Sequence, residues 1–126
     1  MVELNRQKIE RLTLQTEKLG KISTEHQSVI EALSALEQKG TRQTLIPFGA
    51  GVQVEAEIDV EAGAIVDIGS GVQATRPMNE VSDLLLVRKE EIDALIAAMN
   101  EEMQEAEDLV GALISQYEQM AKEESM

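Results

Sequence analysis

Cysteine and tryptophan are absent from this sequence, and Phe48 and Tyr117 are its only aromatic residues. Without cysteine, disulfide frameworks, thiolate zinc sites and thiol nucleophiles are excluded. Compact enzyme cores usually contain more aromatic bulk, whereas coiled coils are built from Leu, Ile, Ala and Met. These absences favour a helical assembly subunit over an enzyme, and they fit a reducing environment.

Long apolar runs are missing as well. No stretch of 18 apolar residues occurs, so a membrane-spanning helix is not expected. The first residues lack the apolar segment of a secretory signal and turn polar by Asn5, so no signal peptide is predicted. We therefore expect a cytoplasmic protein without a membrane partner.

Positive charge is scarce, and the net charge of −13 argues against nucleic acid as a direct partner. Most of the negative charge lies in residues 78–126, which hold three basic and thirteen acidic side chains. A solvated helix face is the ordinary interpretation of such a run. The alternative is electrostatic steering toward basic partners or unfolded basic chains.

Residues 4–38 are predicted to form a helix, because they contain no proline and a single interior glycine, Gly20. Apolar and near-apolar residues alternate in steps of three and four, which is typical of a coiled-coil seam. The predicted seam residues are Leu19, Ile22, His26, Val29, Leu33 and Leu36. Upstream the pattern continues less cleanly, so a change of seam near Gly20 is expected, and Gly40 is a C-terminal stop.

Residues 79–122 are predicted to form a second helix, with Asn79 or Ser82 as its N-cap. Its seam alternates four and three without a break through Ile92, Ile96, Met99, Met103, Ala106, Val110, Leu113, Tyr117 and Met120. Two helices joined by a short insert should pair antiparallel. Counting outward from the insert places Leu33 near Leu85 and Ile22 near Ile96.

The segment 41–77 changes to a period of two, which indicates short half-buried strands. Gly49-Ala-Gly51 and Gly69-Ser-Gly71 both precede Val-Gln, which suggests two related hairpin units with glycine at positive φ. Glu61-Ala62-Gly63 is predicted to be a further hairpin turn. Four short strands leave edges unpaired, so partner strands are expected to complete the sheet.

No motif for catalysis or cofactor binding is present. The two Gly-x-Gly pairs lack the third glycine and the following helix of a phosphate-binding loop, so structural turns are the better interpretation. His26 is the single histidine and lies on the predicted seam, where a packed or register-setting role is favoured over catalysis. We predict no catalytic residue, no metal site and no cofactor.

Helix, Leu45-Ile-Pro-Phe-Gly-Ala-Gly-Val52, Val66-Asp-Ile-Gly-Ser-Gly-Val72 and helix together resemble the alpha-type subunit of prefoldin, a jellyfish-shaped chaperone. The resemblance implies an α+β fold: a long antiparallel coiled coil with a central insert of two β-hairpins that joins an oligomeric β-barrel. Its parts would be 1–40, 41–77 and 78–126 within one structural domain. Partners would be beta-type prefoldin subunits, in a hetero-hexamer of two alpha and four beta, unfolded client proteins, and a group II chaperonin to which the clients are passed. Prefoldin itself would use no ATP.

Carried over by position, the resemblance assigns two sets of residues. The oligomerisation platform would use Leu45, Ile46, Phe48, Val52, Val54, Ile58, Val66, Ile68 and Val72. The client-binding tips would use Val2, Leu4, Ile9, Leu12, Leu113, Ile114, Tyr117 and Met120. Two alternatives stay open: a homo-oligomeric or filament-forming prefoldin-like chaperone, and a coiled-coil scaffold that binds one folded partner.

Overall fold

The computed structural model describes residues 1–39 and 43–124, so Gly40 and the C-terminal Met126 lie outside the described residues. Two long helices flank two β-hairpins, which confirms the predicted fold class. The elements are α1 (Val2–Lys39), β1 (Gln43–Gly49), β2 (Val52–Glu57), a 3-10 turn (Val60–Ala62), β3 (Ala64–Gly69), β4 (Val72–Arg76) and α2 (Met78–Glu124).

The chain divides into two compact units. The helical unit comprises Met1–Thr24 and Glu90–Met126, and the hairpin unit comprises Glu25–Lys89. In the helical unit the two segments are both helical, whereas the hairpin unit contains all four strands. The unit that contains the hairpins also contains the larger cluster of buried apolar side chains.

The seam of α1 follows buried and half-buried positions that are three or four residues apart. They are Asn5, Ile9, Leu12, Thr16, Leu19, Ser23, His26, Ile30, Leu33 and Leu36, and they include the predicted seam positions Leu19, His26, Leu33 and Leu36. Ile22 and Val29, each 41% exposed, flank this seam rather than forming it, so their predicted seam positions were wrong. The predicted shift near Gly20 is also absent from the alternation. Ser23 takes the seam position because its buried hydroxyl has a hydrogen-bond partner, described below.

The seam of α2 follows the prediction over most of its length. Seven predicted positions are buried or half-buried: Ile92, Ile96, Met99, Met103, Ala106, Val110 and Leu113. The last two predicted positions behave differently, since Tyr117 is 77% exposed and Met120 is 61% exposed. The periodic pattern therefore continues past the point at which the helix is covered.

Two side-chain contacts set the helix pairing in the helical unit. The hydroxyl of Ser23 donates to Oδ1 of Asp93 at 2.6 Å, and Oγ1 of Thr13 lies 3.3 Å from Sδ of Met103. Ten residues forward along α1 correspond to ten residues backward along α2, so the helices run antiparallel. In both contacts the residue numbers add to 116, two less than for the expected pairing of Ile22 with Ile96.

The core of the hairpin unit joins both helices to the second hairpin. Leu33, Met78, Val81 and Val66 are buried together, and Leu36, Ile58, Val60, Ala64, Leu84 and Leu85 pack against them. Full burial of a Leu, Val or Met side chain, as at Leu33, Val66, Met78 and Val81, contributes roughly 1.5–3 kcal/mol. A guanidinium nitrogen of Arg88 also donates to the backbone carbonyl of Asp67 at 2.7 Å, which ties α2 to β3.

The two hairpins are built alike. β1 pairs with β2 and β3 pairs with β4, both antiparallel, in two separate two-stranded sheets. The turn residues Ala50 and Gly51 have φ of 53° and 79°, and Ser70 and Gly71 have 53° and 76°. Two successive positive φ values are the hallmark of a type I′ turn, whose twist matches that of the strands. Each hairpin also has a register shift just before its turn, which confirms the two related units.

Two local predictions were wrong. Glu61 and Ala62 lie in the 3-10 turn rather than in a hairpin turn, because the carboxylate of Asp59 accepts a hydrogen bond from the Glu61 N–H at 3.1 Å. Asn79 and Ser82, the two predicted N-caps, both lie inside α2. The backbone carbonyl of Pro77 accepts from the Val81 N–H at 3.1 Å, so the helix begins at Met78 without a side-chain cap.

Gly63 is the glycine on which the connection between the hairpins depends. Its φ is +80°, and a Cβ at this position would collide with the backbone carbonyl of Arg76. Arg76 lies on β4 and pairs with Ala64, the residue that follows Gly63. We expect Gly63→Ala to lower the free energy of unfolding by roughly 2–4 kcal/mol, from backbone strain and overpacking.

Gly20→Ala is the matched control for that substitution. A Cβ at Gly20 meets no atom within 4 Å, and the residue is helical. Replacing a helical glycine by alanine should stabilise the chain by about 0.5–1 kcal/mol. Urea denaturation followed by circular dichroism at one fixed protein concentration compares the two. Equal stability of both variants would contradict the described geometry at Gly63.

Candidate assembly surface and end groove

Apolar side chains cover one face of the first hairpin and the turn region of the second. We call this set the hairpin surface: Ile46, Phe48, Val52, Val54, Ile68 and Val72, each more than 40% exposed. Phe48 is 71% exposed although it is one of only two aromatic residues. Concentrated apolar exposure of this kind marks an interaction surface in a soluble protein.

The alternation of strand side chains explains why these residues share a face. Ile46 is directly opposite Val54 in the ladder, and Val52 lies two residues before Val54 on the same strand. Gln53 and Glu55 point to the other side of β2, since successive strand side chains alternate. The register shift places Phe48 in a bulge next to Gly49, where the strand bends toward its turn.

The second hairpin shows how such a face is covered. Residues of the two hairpins correspond at a spacing of 20, so that Val66 and Ala74 occupy the positions of Ile46 and Val54. Val66 is only 8% exposed because it packs on Leu33, Met78 and Val81. Ile46 and its partner are more than 40% exposed within the described chain. The first hairpin thus leaves exposed the face that apolar side chains cover in the second hairpin.

Not every residue assigned to the platform lies on this surface. Val66 and Ile58 belong to the core of the hairpin unit and are already covered within the chain. Leu45 is 54% exposed but pairs with Glu55 on the opposite face of the first hairpin. Ile65, which the sequence pattern did not single out, is exposed on the corresponding face of the second hairpin.

Each hairpin also has open edges. Both sheets consist of two strands among the described residues, so every strand has one edge without a strand partner. Two-stranded sheets are marginal by themselves, and an open edge can pair with a strand of another chain. Apolar exposure and open edges occur on the same hairpins.

A groove of about 500 Å³ lies in the helical unit, between the start of α1 and the last turns of α2. We call it the end groove; it is lined by Met1, Val2, Leu113, Ile114, Tyr117 and Glu118. The helix register explains its position. Residues whose numbers add to about 116 lie level with each other, so Tyr117 and Met120 lie beyond the start of α1 at Val2.

The end groove gathers half of the residues assigned to the client-binding tips. Val2, Leu113, Ile114 and Tyr117 line it, while Leu4 and Met120 are exposed nearby on the same helices without lining it. Ile9 and Leu12 occupy seam positions, and Leu12 is only 3% exposed because α2 covers it. These two are therefore structural in the described conformation. Glu118 was missed, since a carboxylate in an apolar groove has no periodic signal.

Within residues 1–39 and 43–124, no group of three or more His, Asp or Glu side chains is arranged to hold a metal ion. No described helix combines the length and the hydropathy needed to cross a membrane. What the arrangement offers chemically is apolar surface bordered by carboxylates.

Comparison with known proteins places the chain in one family. The family profile described as "Prefoldin subunit" matches residues 5–123. The prefoldin subunit alpha of Methanobrevibacter smithii is 28% identical over 94 residues, which cover 75% of this chain and 64% of that protein. The prefoldin subunit alpha of Pyrococcus horikoshii is 29% identical over 112 residues, or 87% of this chain and 76% of that protein.

The alignment with a third relative, the prefoldin subunit alpha of Methanococcoides burtonii, likewise spans 64% of that protein. Among solved structures, a filamentous PFD from Methanocaldococcus jannaschii superposes with a TM-score of 0.75 at 18% identity, covering 90% of this chain and 95% of that one. At that identity the likeness concerns the fold. Two helices around two hairpins, and a family match over nearly the whole sequence, lead to one conclusion: the chain belongs to the prefoldin family.

Proposed function

We propose that this chain is an alpha-type prefoldin subunit that acts as an ATP-independent chaperone in the cytoplasm. It would capture unfolded proteins at the end groove and pass them to a group II chaperonin, with no catalytic step of its own. One observation carries the proposal: a folded chain of this family leaves two separate apolar surfaces uncovered, the hairpin surface and the end groove. One suits permanent assembly and the other reversible binding.

The hairpin surface would join subunits. Its aliphatic and aromatic side chains and its open strand edges together favour strand addition by neighbouring subunits, which satisfies backbone hydrogen bonds and buries apolar area at once. The proposed partners are beta-type prefoldin subunits, in a complex of two alpha and four beta chains whose strands close a β-barrel.

The end groove would bind clients. Its wall contains exposed Tyr117 and lies close to exposed Met120, and both side chains adapt well to varied apolar segments. A groove of this size accepts a few side chains, so each contact is weak. Several grooves in one complex would raise the overall avidity without any new contact.

A homo-oligomer is the second candidate, since the fold neighbour from Methanocaldococcus jannaschii is described as filamentous. The hairpin surface could then be covered by other copies of this chain. Native mass spectrometry of the chain alone, and after mixing with a beta-type subunit of the same source, distinguishes the two. We expect conversion to a discrete complex of two of these chains with four partners. A large homo-oligomer indifferent to the partner would contradict that expectation.

Aspartate substitutions test the hairpin surface. Val54→Asp or Ile68→Asp would bury a charge at the proposed interface, so we expect native mass to fall to that of the free subunit while helicity is retained. The matched controls Gln53→Asp and Gln73→Asp introduce the same charge on the opposite face of the same hairpins.

The control positions decide how the result is interpreted. Assembly should survive in both Gln variants, because their side chains lie on the face of each hairpin opposite to the hairpin surface. Val66→Asp is expected to unfold the hairpin unit itself, since Val66 is part of its core. An unchanged native mass of both Val54→Asp and Ile68→Asp would sink the proposed interface.

Removal of the exposed groove residues tests client binding. We expect Tyr117→Ser combined with Met120→Ser to reduce suppression of client aggregation several-fold, because the groove loses the exposed Tyr117 of its wall and the exposed Met120 three residues along the same helix. Light scattering of a thermally unfolding reporter enzyme measures the effect on the assembled complex. Leu14→Ser is the control: Leu14 is 56% exposed on α1 but does not line the groove. Equal loss of activity in the control would contradict a groove-specific role.

A further inference from the structure

The charge around the end groove is uneven. In the helical unit, residues 1–24 carry five basic and three acidic side chains, a net charge of +2. Residues 90–124 carry one basic and eleven acidic side chains, a net charge of −10. The two helices that form the groove therefore differ in sign. A ligand in the groove meets a predominantly negative field from α2.

The helix register concentrates this imbalance at the outer end of the groove. The basic residues Arg6 and Lys8 of α1 lie level with residues near 108–110 of α2, according to the pairing sum of 116. In this pairing, Glu118, Glu123 and Glu124 of α2 lie past the level of Val2. Glu118 itself lines the groove, and Lys122 is the one basic residue in these last turns.

A further feature of the groove favours a cation. Tyr117 is exposed and lines the groove, and its ring can form a cation–π contact with lysine or arginine. The apolar lining, the carboxylate of Glu118 and the aromatic ring of Tyr117 together indicate a ligand that has both apolar and positively charged groups.

We propose that the end groove selects extended polypeptide segments in which apolar side chains are flanked by lysine or arginine. This inference rests on the proposed client-binding function and names its substrate class. The apolar side chains enter the space between Val2, Leu113 and Tyr117. The flanking cations lie over Glu118 and the carboxylates that follow it on α2. Segments with flanking Asp or Glu are disfavoured by the same charges.

The chain provides its own probe for this proposal. Tyr117 is the only tyrosine and tryptophan is absent, so the intrinsic tyrosine emission of the purified full chain reports from the groove alone. Four twelve-residue peptides without aromatic residues serve as ligands. Three contain the same two leucines flanked by Lys, Glu or Gln, and the fourth keeps the lysines but replaces both leucines by Ser.

We expect the Lys-Leu peptide to bind about tenfold more tightly than the Glu-Leu peptide at low salt, with the Gln-Leu peptide between them. The difference should shrink to about twofold or less at 0.5 M NaCl, because exposed charges are screened. The Lys-Ser peptide should bind weakly at either salt concentration. Glu118→Gln with Glu123→Gln should remove the preference for the Lys-Leu peptide over the Glu-Leu peptide.

Glu101→Gln with Glu102→Gln is the matched control, since it removes the same charge from the same helix away from the groove. This control should keep most of the preference for the Lys-Leu peptide. Equal preference loss in the two double variants would overturn the local role of Glu118 and leave only a diffuse field.

The remaining outcomes distinguish a failure of the charge preference from a failure of the proposed client-binding function. Tight and equal binding of the Lys-Leu and Glu-Leu peptides would overturn the charge preference while the client-binding function stands. Absence of binding by every leucine peptide would contradict the client-binding function itself. Lys-Ser binding as tight as Lys-Leu would overturn the apolar half of the proposal. A change of Tyr117 emission with protein concentration alone would show that a second copy fills the groove.

Discussion

The shortage of burial within one chain is the constraint on which the rest of this structure depends. Six apolar side chains are buried among the described residues, whereas twenty large apolar ones are exposed. Two paired helices are covered on one stripe each, and two-stranded sheets are covered on one face at most. The small core around Leu33 and Met78 holds the base of the helices against the second hairpin. What is left uncovered is apolar enough to require other molecules.

Local pattern predicted the elements well, because their causes are local. The uninterrupted alternation of α2 and the repeated Gly-x-Gly turns depend on helix and turn geometry that nearby residues determine. The seam of α1 was harder. Ile22 and Val29 are better apolar candidates than Ser23, yet Ser23 occupies the seam because Asp93, seventy residues away in sequence, accepts its hydrogen bond. Because Asp93 is so distant in sequence, the spacing of residues along α1 does not predict this hydrogen bond.

The candidate surfaces were predictable as segments but not as sets of residues. Alternation along β3 groups Val66 with Ile68, and only packing against Leu33 separates a core residue from an exposed one. At the other surface, the register of the helices decides where coverage of α2 ends. Leu113 is half-buried and Tyr117 is open, although both continue one seam. The observed helix register differs by two residues from the expected one, and this difference moves the position at which coverage of α2 ends. No local sequence pattern contains that information.

Ser23 has a further consequence through the hydrogen bond that it donates. Within the helical unit, a slip of α1 past α2 by one heptad would again place seam positions opposite seam positions. The Ser23 hydroxyl, however, would leave the Asp93 carboxylate, and a buried hydroxyl without an acceptor costs roughly 1–3 kcal/mol. This penalty fixes the register of α1 against α2. The register decides how many turns of α2 extend past Val2, so one small polar side chain sets the depth of a groove several turns away.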